Sequence, residues 1–261
     1  MALTLTWTLV AAVTLVVVVA GATNGLAGFG FAVVGTMALA TVIDPATAVV
    51  FMIVPILAVN VSLVRDLSPR ELRTCSRRFW PLIAAALVGT VVGMAVLESL
   101  PEAPLRVGLG ILSLGFVLVA QQRVPLPAWL TLGDSEVGQT PLAMAVVGGV
   151  SGLLFGGTNV GVQLIAYLRS FDLSHGLFVG VVALVFLGLN GIRVAIAAAF
   201  GLYPSAAVAG ASLLAVVPAV AGVAVGKRLR SAVGERPRRA LVLGLLTLVG
   251  VRLVTGGLGI A

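Results

Sequence analysis

Arg193 lies in an apolar stretch that is long enough to cross a membrane, three residues after Asn190 in the run Gly-Leu-Asn-Gly-Ile-Arg. Positions 177–189 before this pair and 194–202 after it are apolar. Because a guanidinium does not lose its proton inside a protein, it must contact water, a protein partner or an anion. Its planar fork of donors suits a sulfite, sulfonate or carboxylate group. Arg193 is therefore the first candidate for binding a small anion, unless its span starts late and the side chain reaches the membrane surface.

Neutral polar groups accompany this charge in two glycine-rich segments, 21–30 and 148–161, which interrupt apolar runs. Broken helices in transporters expose backbone N–H groups to substrate near the middle of the membrane. Asn190 lies on the same helical face as Arg193, and Asn60 matches it earlier in the chain. Besides Arg193, the candidate substrate-binding residues are Asn24, Gly28, Phe29, Gly30, Asn60, Ser151, Gly156, Gly157, Thr158, Asn159 and Asn190.

Close helix packing is the alternative explanation for any single glycine, because small residues let membrane helices approach each other. We favour packing for Gly89, Gly93, Gly222 and Gly226, and a binding role for the two glycine-rich segments taken as a pair.

Ser151 and His175 raise the alternative of an enzyme. The run Gly-Val-Ser-Gly at 149–152 fits the Gly-x-Ser-Gly pattern of intramembrane serine proteases, with His175 as the base. The position of His175 near a membrane edge weakens this hypothesis. His175 is the only histidine and has a second candidate role in proton coupling, because its pKa lies near physiological pH.

Composition places these residues in a membrane protein. Of 261 residues, 60% are hydrophobic and 10% are charged, whereas a soluble domain carries roughly 25% charged residues. Apolar runs of about 17–25 residues predict an all-α polytopic fold and not a transmembrane barrel. The net charge of +7 comes mainly from two short loops, which suits membrane orientation and not nucleic-acid binding. Cys75 is the only cysteine, so neither an intrachain disulfide nor a cysteine-rich metal site is expected.

The chain also repeats its own plan. We divide it into a first repeat at 1–122, a linker at 123–139 and a second repeat at 140–261. Each repeat would hold an interrupted helical hairpin followed by three transmembrane helices. Four matches in the same order support the duplication: 25–30 with 152–157, Asn60 with Asn190, Gly89 and Gly93 with Gly222 and Gly226, and Pro104 with Pro237.

Charge predicts that the two repeats are inverted. The basic loop at 65–78 matches an uncharged segment at 200–205, whereas the basic loop at 227–239 matches a segment at 98–106 with two Glu and one Arg. Basic loops mark the cytoplasmic side. Corresponding loops would therefore lie on opposite sides of the membrane. The hairpins are then either pairs of full spans or pairs of re-entrant half-helices.

Three runs of the sequence resemble the sulfite exporter TauE/SafE family of membrane transporters. They are Gly-Leu-Ala-Gly-Phe-Gly-Phe at 25–31, Gly-Gly-Val-Ser-Gly-Leu-Leu-Phe-Gly-Gly-Thr-Asn at 148–159, and Phe-Leu-Gly-Leu-Asn-Gly-Ile-Arg at 186–193. The chain departs from the family at 28–30, where many members have three glycines and then a proline. The resemblance implies transport of a small sulfur-containing or carboxylate anion.

These observations predict a secondary transporter for a small anion in the cytoplasmic membrane, working by alternating access without a cofactor or a metal. Its partners would be the anionic substrate and the lipid bilayer, with room for protons or another coupling ion and for a homodimer, and with no nucleic acid. The rival hypotheses are a passive anion channel and, more remotely, an intramembrane serine hydrolase.

Overall fold

The computed structural model describes residues 6–27, 30–64, 73–74, 77–121, 137–171, 175–229 and 232–260, and all regular structure in this part of the chain is helical. The helices before the linker are α1 (Trp7–Ala27), α2 (Phe31–Leu39), α3 (Pro45–Phe51), α4 (Ile53–Val64), α5 (Trp80–Ser99) and α6 (Glu102–Ala120). A short 3-10 turn, Val137–Gln139, precedes α7 (Pro141–Thr158), α8 (Val162–Arg169), α9 (His175–Ala199), α10 (Ala206–Leu214), α11 (Val216–Leu229) and α12 (Glu235–Gly257).

Within the described residues, six segments are long and apolar enough to cross a membrane, which confirms the all-helical polytopic fold. Helices α1, α5, α6, α7 and α12 each supply one such segment, and α10 with α11 supplies the sixth over Ala206–Leu229. Shorter apolar segments cover Pro45–Val61 and Leu184–Ala199.

The two glycine-rich segments interrupt the chain less than the sequence predicts. Helix α1 continues to Ala27 and α7 to Thr158, so most of the predicted breaks at 21–30 and 148–161 are helical. Their partners α2 and α8 have nine and eight residues, which gives roughly 12 to 14 Å of helix, well under the bilayer core of about 30 Å. Each interrupted unit is thus a long helix followed by a short one. The inverted relation of the repeats stays a prediction.

The helices form two compact units that do not follow chain order. Unit 1 comprises Met1–Val59, Leu100–Val124 and Phe200–Ala261, and unit 2 comprises Asn60–Ser99 and Pro125–Ala199. Each unit therefore draws helices from both sides of the linker. The division into repeats at 1–122 and 140–261 concerns the sequence and stays a prediction.

Unit 1 is built on a close crossing of α1 and α11. A Cβ atom at Gly25 would lie 2.8 Å from Gly226 Cα, and one at Gly21 would lie 2.5 Å from the Ala219 carbonyl oxygen. A methyl group at either position would overlap backbone atoms, so only glycine permits this approach. Helices α6 and α12 also pack closely, and Ser113 Oγ donates a hydrogen bond of 2.9 Å to the Leu246 carbonyl between them.

Unit 2 contains the matching crossing of α5 and α7. A Cβ atom at Gly93 would lie 3.1 Å from Gly156 Cα, and one at Gly152 would lie 2.8 Å from Ala86 Cα. Thr90 Oγ1 donates a hydrogen bond of 3.2 Å to the Gly152 carbonyl across this crossing. The glycines at four-residue spacing therefore line helix contacts and do not break the helices. The two crossings confirm the packing interpretation of Gly89, Gly93, Gly222 and Gly226.

In unit 1, Ser212 supplies the hydrogen bond that a proline removes from a helix. Helices α3 and α4 follow each other with a break at Met52, and Pro55 has no N–H to donate to the Phe51 carbonyl, four residues before it. Ser212 Oγ on α10 donates a hydrogen bond of 2.6 Å to this carbonyl. The oxygen freed by the proline is therefore paired at a buried position.

We expect Ser212→Ala to lower the free energy of unfolding by about 1–3 kcal/mol, because the Phe51 carbonyl would stay buried without a partner. The loss should shrink in a Pro55→Ala background, where a backbone N–H becomes available to the same oxygen. Equilibrium unfolding in mixed detergent micelles measures both effects. Ser99→Ala, which removes an exposed hydroxyl bonded to Val96, is the matched control. Equal losses with and without Pro55 would contradict this explanation.

Candidate functional site

Arg193 is fully buried within unit 2, where the guanidinium lies at the carboxyl end of α7. Nη1 donates a hydrogen bond to Asn159 Oδ1, and Nη2 donates one of 3.3 Å to the Gly156 carbonyl. The guanidinium carbon lies 5.0 Å from the centroid of the Phe155 ring, within cation–π range. Arg193 therefore does not reach the protein surface. In this structure its guanidinium donates hydrogen bonds to protein groups.

The end of α7 explains why an arginine is stable here. The last carbonyls of a helix have no partner within it and carry the negative end of the helix dipole. Asn159 ends α7 in the left-handed conformation with φ 60°, the one such non-glycine among the described residues. Asparagine adopts this conformation more readily than most residues. The guanidinium of Arg193 compensates the negative end of the helix dipole and donates a hydrogen bond to one of its last carbonyls, that of Gly156.

The turn that follows is held by polar side chains and by one tight contact. Thr158 Oγ1 donates to the Leu154 carbonyl and accepts from the Val160 N–H, at 2.5 and 3.1 Å. Gln163 Nε2 donates to the Val160 carbonyl at 2.9 Å. A Cβ atom at Gly161 would lie 2.3 Å from the edge of the Phe186 ring on α9, so a larger residue where α8 begins would force this ring to move. The break between α7 and α8 is thereby fixed against the helix that carries Arg193.

Two further buried polar groups of unit 2 have atoms without a hydrogen-bond partner in the described part of the chain. Asn190 Nδ2 donates 2.8 Å to the Phe186 carbonyl, while its Oδ1 has no partner there. Ser151 Oγ on α7 is in the same state. Buried polar atoms are nearly always paired, so such atoms are places where a ligand or water is expected.

The structure thus gathers part of the predicted site in unit 2 and assigns its glycines separate tasks. Arg193, Asn159 and Gly156 are in direct contact, and Asn190 lies one helical turn from Arg193. Gly156 also allows the α5–α7 crossing, whereas a Cβ atom at Gly157 would make only ordinary contact, at 3.4 Å from the Gly93 carbonyl.

The predicted residues of the first half stay a prediction. Asn24 is half-buried on α1, and Gly30 precedes α2 with φ 103°. Asn60 is half-buried on α4 and is the first residue assigned to unit 2. Gly28 and Phe29 lie outside the described residues.

His175 begins α9, but its side chain lies outside the described part of the structure. Its coupling role and its pairing with Ser151 in a hydrolase therefore also stay predictions. Among the described residues, no group of three His, Cys, Asp or Glu side chains could hold a metal ion.

Sequence reasoning missed Arg238, which lies in the first turn of α12 in unit 1. Its Nη1 donates a hydrogen bond of 3.1 Å to the carbonyl of Leu26, next to the last residue of α1. In the sequence, Arg238 stands out only as part of the basic loop that indicates membrane orientation. No local pattern signals the contact, because the two residues are 212 positions apart. In both α1 and α7, a carbonyl near the carboxyl end of the helix therefore accepts a hydrogen bond from an arginine guanidinium.

Comparison with known proteins adds one finding to this geometry. A family model described as "Sulfite exporter TauE/SafE" matches residues 13–253. Comparisons with curated proteins and with solved structures gave no match.

Proposed function

Because the chain belongs to the sulfite exporter TauE/SafE family, we propose that this multi-pass membrane protein transports a small anion such as sulfite, an organosulfonate or a related carboxylate. The family is one of transporters, which is consistent with a protein that is not an enzyme. The family name supports the general class of cargo. The choice among these anions and the mechanism are part of the proposal.

The fully buried Arg193 at the end of α7 is the observation that carries the proposal. Two of its hydrogen-bond partners, Asn159 Oδ1 and the Gly156 carbonyl, are neutral acceptors. A sulfite or sulfonate oxygen carries negative charge and is a stronger acceptor for a guanidinium than either. We expect the anion to take the place of one of these contacts, with Arg193 supplying the charge and Asn190, Ser151 and Thr158 supplying neutral polar groups around it.

An exchange of this kind suits a transporter. With no anion bound, Arg193 holds the end of α7 through Asn159, so the positive charge is compensated by the helix end. Binding of an anion would release Asn159 and change the contacts of the break between α7 and α8. We propose that this coupling links occupancy of the site to alternating access.

The membrane potential favours one direction. Inward movement of one negative charge is opposed by about 2.3 kcal/mol per 100 mV in a membrane that is negative inside. Efflux across the cytoplasmic membrane therefore needs no coupling ion, whereas import would need one, such as the proton. A homodimer is compatible with this scheme but is not required by it.

Counterflow in proteoliposomes tests the proposal against its rival, a passive anion channel. Vesicles that hold the full-length protein are loaded with unlabelled sulfite, sulfoacetate or taurine and diluted into a trace of the same labelled compound. We expect transient accumulation of label for at least one anion, because a carrier exchanges substrate across a saturable site. Label that only equilibrates would indicate a channel, and no protein-dependent flux with any anion tested would overturn the proposed function.

A further inference from the structure

Asn190 Oδ1 is a buried hydrogen-bond acceptor that has no partner within the described residues. Asn190 is fully buried, and it lies three residues before Arg193 on the same face of α9. An unpaired amide oxygen in a membrane protein interior is costly, since no bulk water is present to satisfy it. The atom therefore calls for a donor that the described protein atoms do not supply.

The hydrogen bond of the amide nitrogen shows which of the two terminal atoms of Asn190 is the unpaired oxygen. Asn190 Nδ2 donates 2.8 Å to the Phe186 carbonyl, one helical turn before it. Rotating the amide by half a turn would set Oδ1 against that carbonyl, and two acceptors would then face each other. The hydrogen bond to Phe186 thus fixes Oδ1 as the atom that has no partner among the described residues.

The charge of Arg193 limits what the donor can be. A cation beside Asn190 would lie about one helical turn from a fully buried guanidinium and would be repelled by it. A second anionic oxygen would accept hydrogen bonds but could not donate one. A neutral O–H or N–H group meets both conditions, and either a water molecule or a molecule whose anionic end Arg193 attracts can supply it.

We propose, as an extension of the proposed function, that the transported anion also carries a hydrogen-bond donor that Asn190 Oδ1 recognises. Hydrogen sulfite and hydroxyalkyl sulfonates have this chemistry, whereas fully deprotonated sulfite and simple alkyl sulfonates lack the donor. Asn190 would then determine specificity, and Arg193 would determine the affinity for the charge that all these anions share.

Three sulfonates that differ in one group test the proposal: ethanesulfonate, hydroxyethanesulfonate and methoxyethanesulfonate. The ether resembles the alcohol in shape and polarity but cannot donate. Isothermal titration of the purified full-length protein should show hydroxyethanesulfonate binding about tenfold more tightly than either analogue, since one well-made hydrogen bond contributes about that factor. Asn190→Leu should remove the difference in affinity between hydroxyethanesulfonate and its two analogues.

Control variants keep the result interpretable. Asn190→Ala removes the same oxygen without adding a branched side chain, and covers the case in which Asn190→Leu fails to fold. Gly191→Ala adds a methyl group in open space at the next residue and should leave the affinities for all three sulfonates unchanged. Equal affinities for all three sulfonates, or a preference for the alcohol that survives both Asn190 variants, would overturn the inference while leaving the proposed function intact. Failure of all three to bind would count against both.

Discussion

Arg193→Gln is expected to lower affinity for the transported anion by about 100-fold, because it removes the positive charge and the planar donor fork of the guanidinium. A hydrogen bond to a charged group contributes about 1.5–3 kcal/mol, and the upper end of that range corresponds to a loss of about 100-fold. Glutamine keeps a neutral amide donor but is too short to make both contacts of Arg193, with Asn159 and Gly156, so some loss of stability is expected beside the loss of affinity. Titration of the purified protein with sulfite and organosulfonates, together with its thermal unfolding, measures affinity and folding separately.

Two further variants separate charge from geometry at this position. Arg193→Lys keeps the charge but cannot contact Asn159 and Gly156 at once with a planar fork, so binding should weaken but persist. Arg252→Gln, which removes an exposed arginine from α12, is the control and should bind the anion normally. Unchanged affinity in Arg193→Gln would exclude the residue from the site, whatever its effect on stability.

Alanine at the crossing glycines is expected to lower the free energy of unfolding by about 1–3 kcal/mol, or more, because the added methyl group meets backbone that cannot move aside. Gly152→Ala tests the α5–α7 crossing, and Gly226→Ala tests the α1–α11 crossing. At these positions a Cβ atom would lie 2.8 Å from Ala86 Cα and from Gly25 Cα, respectively. Valine at either site should prevent folding. Equilibrium unfolding in mixed micelles provides the measurement.

Matched glycines elsewhere in the same helical environment give the opposite expectation. Nothing lies within 4 Å of a Cβ atom at Gly108 on α6 or at Gly191 on α9. Alanine there should leave stability unchanged or raise it by up to about 1 kcal/mol, because glycine weakens a helix interior. Equal effects at crossing and control sites would mean that helix propensity, and not close approach, governs these glycines.

Composition and periodicity were sufficient to predict much of the fold. Long apolar runs predicted the membrane helices, and glycines at four-residue spacing predicted close packing at Gly89, Gly93, Gly222 and Gly226. The extent of the two breaks was wrong, because a glycine that permits a helix crossing looks the same in sequence as a glycine that ends a helix. Only the partner helix distinguishes them, and a single sequence does not name the partner.

The candidate site was predictable to a similar degree. A lone arginine in an apolar run identified Arg193, and the spacing of three identified Asn190 as its neighbour. The contact between Arg193 and Asn159 could not be derived, since it depends on where α7 ends and on how α9 packs against it. Arg238 was out of reach for the same reason, because its partner Leu26 belongs to the other end of the chain.

Because the two units draw on distant parts of the chain, their helix crossings can form only at different times during synthesis. Helix α1 ends at Ala27 and its partner α11 begins at Val216, so about 190 residues are synthesised between them. At about 5–20 residues per second the ribosome needs roughly 10–40 s for this interval, against roughly 2–8 s between α5 and α7. The glycine face of α1 therefore has no partner helix during this interval, although the α5–α7 crossing can already form. During that time lipid or the insertion machinery must cover it, until the carboxyl-terminal helices have been synthesised.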